Sequence, residues 1–129
     1  MVSLDLQGRS VLVVEDDFYL ADDTRQMLED AGAEVLGPVS AADEALSLLE
    51  IRKPDCAVVD VNLGAGPSFG LASTLQARGI PFVFLTGYDP DIIPAEFRGA
   101  PCLQKPIDPE KVLLTIKTLE SGARNRFER

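Results

Sequence analysis

The sequence predicts an α/β fold: a doubly wound parallel sheet of five strands flanked by five helices, the fourth of them short and irregular. Three observations predict it. The runs Val11-Leu12-Val13-Val14, Cys56-Ala57-Val58-Val59 and Phe82-Val83-Phe84-Leu85 are apolar throughout rather than alternating, as expected of strands covered on both faces. Longer segments of helical period separate these runs, and a strand–helix–strand order implies parallel pairing with helices on both faces. Each run also stops at a polar residue: Glu15 after the first, Asp60 after the second, Thr86 after the third. In an open parallel sheet such strand ends meet at one edge, where ligands bind.

The elements follow in order. The first strand is expected at 10–15. A helix fits 18–31, with Leu20, Thr24, Met27, Leu28 and Ala31 on one face and Asp22, Asp23, Arg25 and Glu29 elsewhere. Asp17 starts that helix and Gly32 stops it. A short strand near an edge is expected at 34–37. Ser40 can cap a second helix that carries Ala42, Ala45, Leu46 and Leu49 inward. The third strand spans 56–60. A loop rich in turn formers follows it, then a third helix at 69–77 and a fourth strand at 81–86. Pro90 and Pro94 weaken a helix at 89–99, so that stretch reads as a short, irregular helix or a partly open loop. A fifth strand fits 102–104. Asp108 caps the last helix, with Pro109 at its first position and Val112, Leu113, Ile116 and Leu119 inward.

A chain of 129 residues suffices for one compact domain and not comfortably for two. A single domain over 1–129 is expected, with its core at 9–120 and a polar, fraying tail at 121–129. No apolar run approaches the length of a membrane span, and no signal-peptide pattern opens the chain, so the cytoplasm is the expected compartment. The net charge of −9 disfavours nonspecific nucleic-acid binding, which depends on neutralising phosphates. There is no histidine, which excludes histidine bases, histidine metal ligands and Ser-His-Asp triads. Cys56 and Cys102 read as buried reduced thiols rather than a disulfide or a metal site.

Glu15, Asp16 and Asp60 are expected to converge. Like charges at close range cannot all ionise without a counter-charge. A hard divalent cation with oxygen ligands supplies one, and Mg²⁺ suits a site of few carboxylates, several waters and a phosphate. Lys105, after the fifth strand, offers a positive charge to an anion, and Thr86 offers a hydroxyl to the same anion. One nucleophilic carboxylate, metal-binding acids, a lysine and a hydroxyl suit phosphoryl transfer onto an aspartate.

Four segments carry a resemblance: Val13-Val14-Glu15-Asp16-Asp17, Val58-Val59-Asp60, Leu85-Thr86-Gly87 and Gln104-Lys105-Pro106. In order and spacing they resemble the receiver domain of two-component response regulators, over about residues 9–119. The resemblance implies the flavodoxin-like topology of receivers. It implies Asp60 as phosphoacceptor, Asp16 as a direct Mg²⁺ ligand, Glu15 as a ligand through water and Asn62 as a ligand through its backbone carbonyl. Thr86 would bond the phosphoryl group and Lys105 would pair with it. The Lys105–Pro106 peptide is similar to one that is cis in receivers.

Two departures qualify the match. Receivers place a tyrosine or phenylalanine three residues before the lysine, and Cys102 stands there, which puts the usual threonine–aromatic switch in doubt. The segment from Pro81 to Tyr88 resembles the "FATGUY" signature of stand-alone receivers that also lack this aromatic, with Leu85 in place of its alanine. In that subgroup, mostly alphaproteobacterial, receivers act in phosphorelays, several linked to the general stress response. Tyr88 is the candidate to shield the phosphoryl group or replace the switch. Phe82 and Phe84 read as core or subunit-contact residues.

The expected function is thus that of a single-domain response regulator. It takes a phosphoryl group from a histidine kinase or histidine phosphotransfer protein and acts on an unknown downstream protein or as a phosphate sink. No turnover enzyme, no membrane, and a monomer or weak dimer are expected. A phosphorylation-independent interaction module is the alternative. A phosphohydrolase ranks below it, because Asn62 stands where such enzymes place a second acid. A flavin-binding relative ranks low as well, because the acidic edge would repel a flavin phosphate.

Overall fold

The computed structural model describes residues 5–62, 69–87 and 90–127; beyond residue 119 only the backbone is described. Five parallel strands form one sheet: β1 (Ser10–Val14), β2 (Glu34–Val39), β3 (Cys56–Asp60), β4 (Phe82–Thr86) and β5 (Cys102–Gln104). Their spatial order is β2-β1-β3-β4-β5. The chain leaves β1 toward β2 on one side and returns to β3 on the other, so the topological switch point lies between β1 and β3.

Four α-helices cover the sheet: α1 (Phe18–Asp30), α2 (Ala42–Ile51), α3 (Gly70–Ala77) and α4 (Pro109–Phe127). The core divides by strand alternation. Val11, Val13, Cys56, Val58, Val83 and Leu85 pack with Leu28 of α1 and Val112 and Ile116 of α4. Leu12, Val14, Ala57, Val59, Phe82 and Phe84 pack on the other face with Ala45 and Leu49 of α2 and Leu71, Ala72 and Leu75 of α3.

The helix ends are made as the sequence anticipates. Asp17 caps α1 by accepting a hydrogen bond from the Leu20 N–H at 3.0 Å. Gly32, with φ of +95°, closes the same helix: its N–H donates to Glu29 O, and the Ala33 N–H donates to Leu28 O. At α4, Asp108 Oδ1 accepts from the Glu110 N–H at 3.0 Å.

Three expectations are refined or corrected. The short, irregular fourth helix takes the form of two 3₁₀ turns among the described residues, Pro90–Ile92 and Ala95–Phe97, which leaves four α-helices. Pro90 and Pro94 lack the N–H groups that a continuous helix needs. Second, β2 runs through Gly37 and Pro38 to Val39 instead of ending at Gly37. Third, Ser40 is not the cap of α2; Ala41 holds that position, and Glu44 accepts from the Ser40 N–H and hydroxyl instead. α4 itself runs from Pro109 to Phe127. The Lys105–Pro106 peptide is cis, as the resemblance implies, and so is Gly37–Pro38.

Candidate functional site

Register brings the acids together. Val13 pairs with Val58 and Val14 with Val59. One residue further, Glu15 lies opposite Asp60, each continuing the row of its strand that faces α1 and α4. Both side chains are buried, with only 2% of each residue exposed. Asp16 turns outward as the chain leaves the sheet for α1. Carboxylate oxygens of Glu15, Asp16 and Asp60 lie within 4.8 Å of one another.

Each buried oxygen has a defined neighbour. Asp60 Oδ1 accepts a hydrogen bond from the Asn62 N–H at 3.0 Å, and Asp60 Oδ2 accepts from Lys105 Nζ at 3.1 Å. Glu15 Oε2 accepts from the Asp17 N–H at 3.1 Å. Glu15 Oε1 lies 3.2 Å from Lys105 Nζ but outside hydrogen-bonding geometry. It is therefore a buried carboxylate oxygen with a charge beside it and no hydrogen bond. Lys105 is half-buried and reaches the acids from the end of β5, where its N–H is tied to Thr86 O at 2.8 Å.

The electrostatics follow from this packing. Burial raises the Glu15 pKa from 4.5 to about 7, helped by the hydrogen bond that the protonated carboxyl can donate to Asp60 and by the Asp60 charge, and opposed by the Asp17 N–H and Lys105. For Lys105 the largest single effect, burial, would lower the pKa. The hydrogen bonds and charges of Asp60 and Glu15 together outweigh it and hold the ammonium above its ordinary value.

Three carboxylates with one lysine leave an excess of negative charge, and Glu15 Oε1 lacks a hydrogen bond. All the donors are hard oxygens. The residues fit a hard divalent cation such as Mg²⁺. Because a carboxyl must lose its proton to bind a cation, Mg²⁺ affinity is expected to fall below pH 7. Between pH 8 and pH 5.5 a pKa near 7 weakens binding by ~30-fold. Calorimetric titration at the two pH values checks this, and equal affinities would exclude Glu15 from the metal site.

The other anticipated residues differ in burial. Thr86 is fully buried at the end of β4, one residue past Leu85, the register partner of Asp60. Asn62 is half-buried, with its N–H on Asp60. Cys102 is half-buried rather than buried, faces Phe84 in register, and has its thiol pKa pushed up by burial. Cys56 is buried, and both thiols are free. Pro106 is exposed beside Lys105. Tyr88 lies outside the described residues. Sequence reasoning missed the path of β2 past Gly37. Its signal was the spacing of Leu36 and Val39 around a Gly-Pro pair, which regular alternation cannot place on one face.

A sequence profile of the response regulator receiver domain matches residues 11–117. The chain belongs to that family. It is thus a receiver domain of the two-component type, and such domains are generally non-catalytic signalling modules. The receiver is 28% identical over 113 residues to the transcriptional regulatory protein PdtaR of Mycobacterium tuberculosis, covering 87% of this chain and 55% of PdtaR. It is similar in structure to SdrG from Sphingomonas melonis Fr1, with a TM-score of 0.74 and 36% identity over 92% of this chain and 98% of SdrG. The response regulator PhyR from Brucella abortus superposes with a TM-score of 0.81 and 28% identity, over 95% of this receiver and 52% of PhyR. The chain spans about half the length of the curated relatives it matches. Among the described residues no helix is long and apolar enough to cross a membrane.

Proposed function

We propose that this receiver accepts a phosphoryl group on Asp60 from a histidine kinase or histidine phosphotransfer protein, and acts in the cytoplasm as a single-domain response regulator. The observation that carries this reading is the buried Asp60 carboxylate, held by the Asn62 N–H and Lys105, with Glu15 and Asp16 within 4.8 Å. A carboxylate fixed at both oxygens has already lost the orientational freedom that attack would otherwise cost.

In the transfer, an Asp60 oxygen forms a bond to phosphorus while the bond from phosphorus to the donor's imidazole nitrogen breaks. The electron pair stays on the imidazole, which takes up a proton. Lys105 then pairs with the phosphoryl oxygens as Asp60 gives up its negative charge, and Thr86 offers a hydroxyl from the adjacent strand end. Asp16, Asp60 and the Asn62 carbonyl would hold Mg²⁺, with Glu15 acting through water; the ion would supply positive charge at the phosphoryl oxygens. Added charge at this edge biases the segments that follow Asp60 and Thr86. Output follows as a protein contact or as draining of phosphoryl groups from the donor.

Incubation with a small-molecule phosphodonor and Mg²⁺ tests the reading. One phosphoryl group per chain, on Asp60 and labile to base as an acyl phosphate, is expected. No incorporation from either a small donor or a panel of phosphorylated histidine proteins would defeat it.

A second reading, a binding module that works without phosphorylation, is favoured by Cys102, which has no ring to rotate, and by the two short 3₁₀ turns in place of a fourth helix. It predicts that Asp60→Asn keeps full partner affinity.

A further inference from the structure

Between Leu12 and Val14 the pairing of β1 with β2 slips. Leu12 faces Leu36, but Val14 faces Val39, so three residues of β2 oppose two of β1. The extra residue falls at Gly37–Pro38. This is a β-bulge, and it decides two things. It resets the side-chain phase of β2, so that Leu36 and Val39, three residues apart, both pack against the same core face as Leu12 and Val14. It also brings Val39 O to 2.9 Å from the Glu15 N–H, the backbone group of the residue that faces Asp60 and Lys105.

The bulge leaves no room for a side chain. Gly37 has φ of +92°, and a Cβ there would stand 2.7 Å from Val39 N and 3.1 Å from Val13 O. Those atoms belong to the two strand segments that lead to the Glu15–Val39 hydrogen bond. Both are backbone, so neither can rotate away. Pro38 suits the same place, since it has no N–H to leave unpaired where the ladder is interrupted.

We propose that Gly37 and Pro38 are positioning residues for Glu15: the bulge they form seats Val39 O under the Glu15 N–H and so sets where the Glu15 carboxylate stands in the acidic site. The proposal rests on the metal-binding, phosphoryl-accepting reading only for its functional consequence. The placement of Glu15 can be measured without it.

The test compares Gly37→Ala with Gly32→Ala. Gly32 has a similar φ of +95°, and its Cβ would meet Gln7 Oε1 at 2.6 Å and Gln7 backbone at 3.2 Å, at the opposite edge of the sheet. Both variants place a side chain at positive φ, but the closest contact at Gly32 is the movable end of Gln7 and that at Gly37 is backbone, and only Gly37 lies next to Glu15. Hydrogen exchange of the Glu15 N–H and the Mg²⁺ dissociation constant are read well below the unfolding temperature of each protein. Gly37→Ala is expected to speed Glu15 exchange and to weaken Mg²⁺ binding roughly tenfold, the range typical of groups that orient a metal ligand. Gly32→Ala is expected to leave both readouts at wild-type values.

Equal effects in the two variants, or unchanged Glu15 exchange in Gly37→Ala, would overturn the proposal. If wild type binds no Mg²⁺, the metal reading fails, and Glu15 exchange alone decides the positioning role. Should Gly37→Ala not fold, Pro38→Gly carries the test. It adds no atom but removes the φ restraint, and a few-fold change in both readouts in the same direction is expected; unchanged readouts there would also overturn the proposal.

Discussion

Asp60→Asn is expected to abolish phosphoryl incorporation, with a loss of at least about a thousandfold measured as initial rate from a small-molecule phosphodonor. The amide keeps the size of the carboxyl, and its single oxygen can still accept from either Lys105 or the Asn62 N–H, so the fold should persist; what goes is the anionic nucleophile. Retained labelling at wild-type rate would move the acceptor elsewhere. The same substitution has a second consequence at Glu15. Burial is the largest cause of its raised pKa, followed by the hydrogen bond to Asp60, with the Asp60 charge a smaller contribution. Removing the two Asp60 contributions should bring the Glu15 pKa down from about 7, while burial keeps it above 4.5. The sign for stability follows. Native wild type holds the Glu15 proton between 4.5 and about 7, where the unfolded chain has lost it, so stability falls as pH rises through that window. In Asp60→Asn the fall should be shallower. Urea midpoints at pH 5 and pH 7.5 in the absence of divalent cations check this.

Phe84→Ala is expected to be the most damaging core substitution, at about 3–5 kcal/mol. Phe84 is fully buried in the middle of an aromatic cluster. Its ring centroid lies 5.2 Å from Phe82, 5.9 Å from Phe69 and 6.1 Å from Phe97, each at a steep interplanar angle. Edge-to-face contacts of this kind add ~0.5–1.5 kcal/mol beyond area burial. The cluster joins β4 to the start of α3 through Phe69 and to the second 3₁₀ turn through Phe97. Among the described residues the segment between β4 and β5 holds only two short 3₁₀ turns, so a cavity there cannot be filled by a rigid helix sliding in. Against a total stability of about 5–15 kcal/mol, the loss should lower the melting temperature by roughly 10–20 °C. A shift in urea midpoint at unchanged slope would confirm lost stability rather than a changed denatured state. Phe18→Ala provides the contrast. Phe18 is 76% exposed, and its removal should cost less than ~0.5 kcal/mol. A Phe84→Ala cost below ~1 kcal/mol would mean that the aromatic cluster does not hold the segment.

Much of the fold was legible in particular residues. The continuous apolar runs ending at Glu15, Asp60 and Thr86 marked three central strands and the edge where they meet. Asp17, Gly32 and Asp108 marked helix ends, because caps are read by local chemistry that tertiary packing rarely overrides. Where reading failed, a competing contact decided, local at Ser40 and between strands at Gly37. Ser40 has the chemistry of a cap, yet Ala41 takes the cap position and Glu44 accepts from Ser40. Gly37 and Pro38 read as the end of a strand, yet β2 passes through them, because pairing with β1 continues to Val39. The two prolines of 89–99 signalled an irregular segment but not its division into two 3₁₀ turns.

By itself, then, the sequence determined which residues sit at strand ends and on which face, because a period of two residues or of 3.6 is written in the order of side chains. The tertiary structure decided what those residues do to one another. It set Lys105 at 3.1 Å from Asp60, across 45 positions of chain, raised the Glu15 pKa to about 7, and put a bulge under the Glu15 N–H. Distance, burial and register act between segments that no local pattern links, and the acidity of a carboxyl depends on all three.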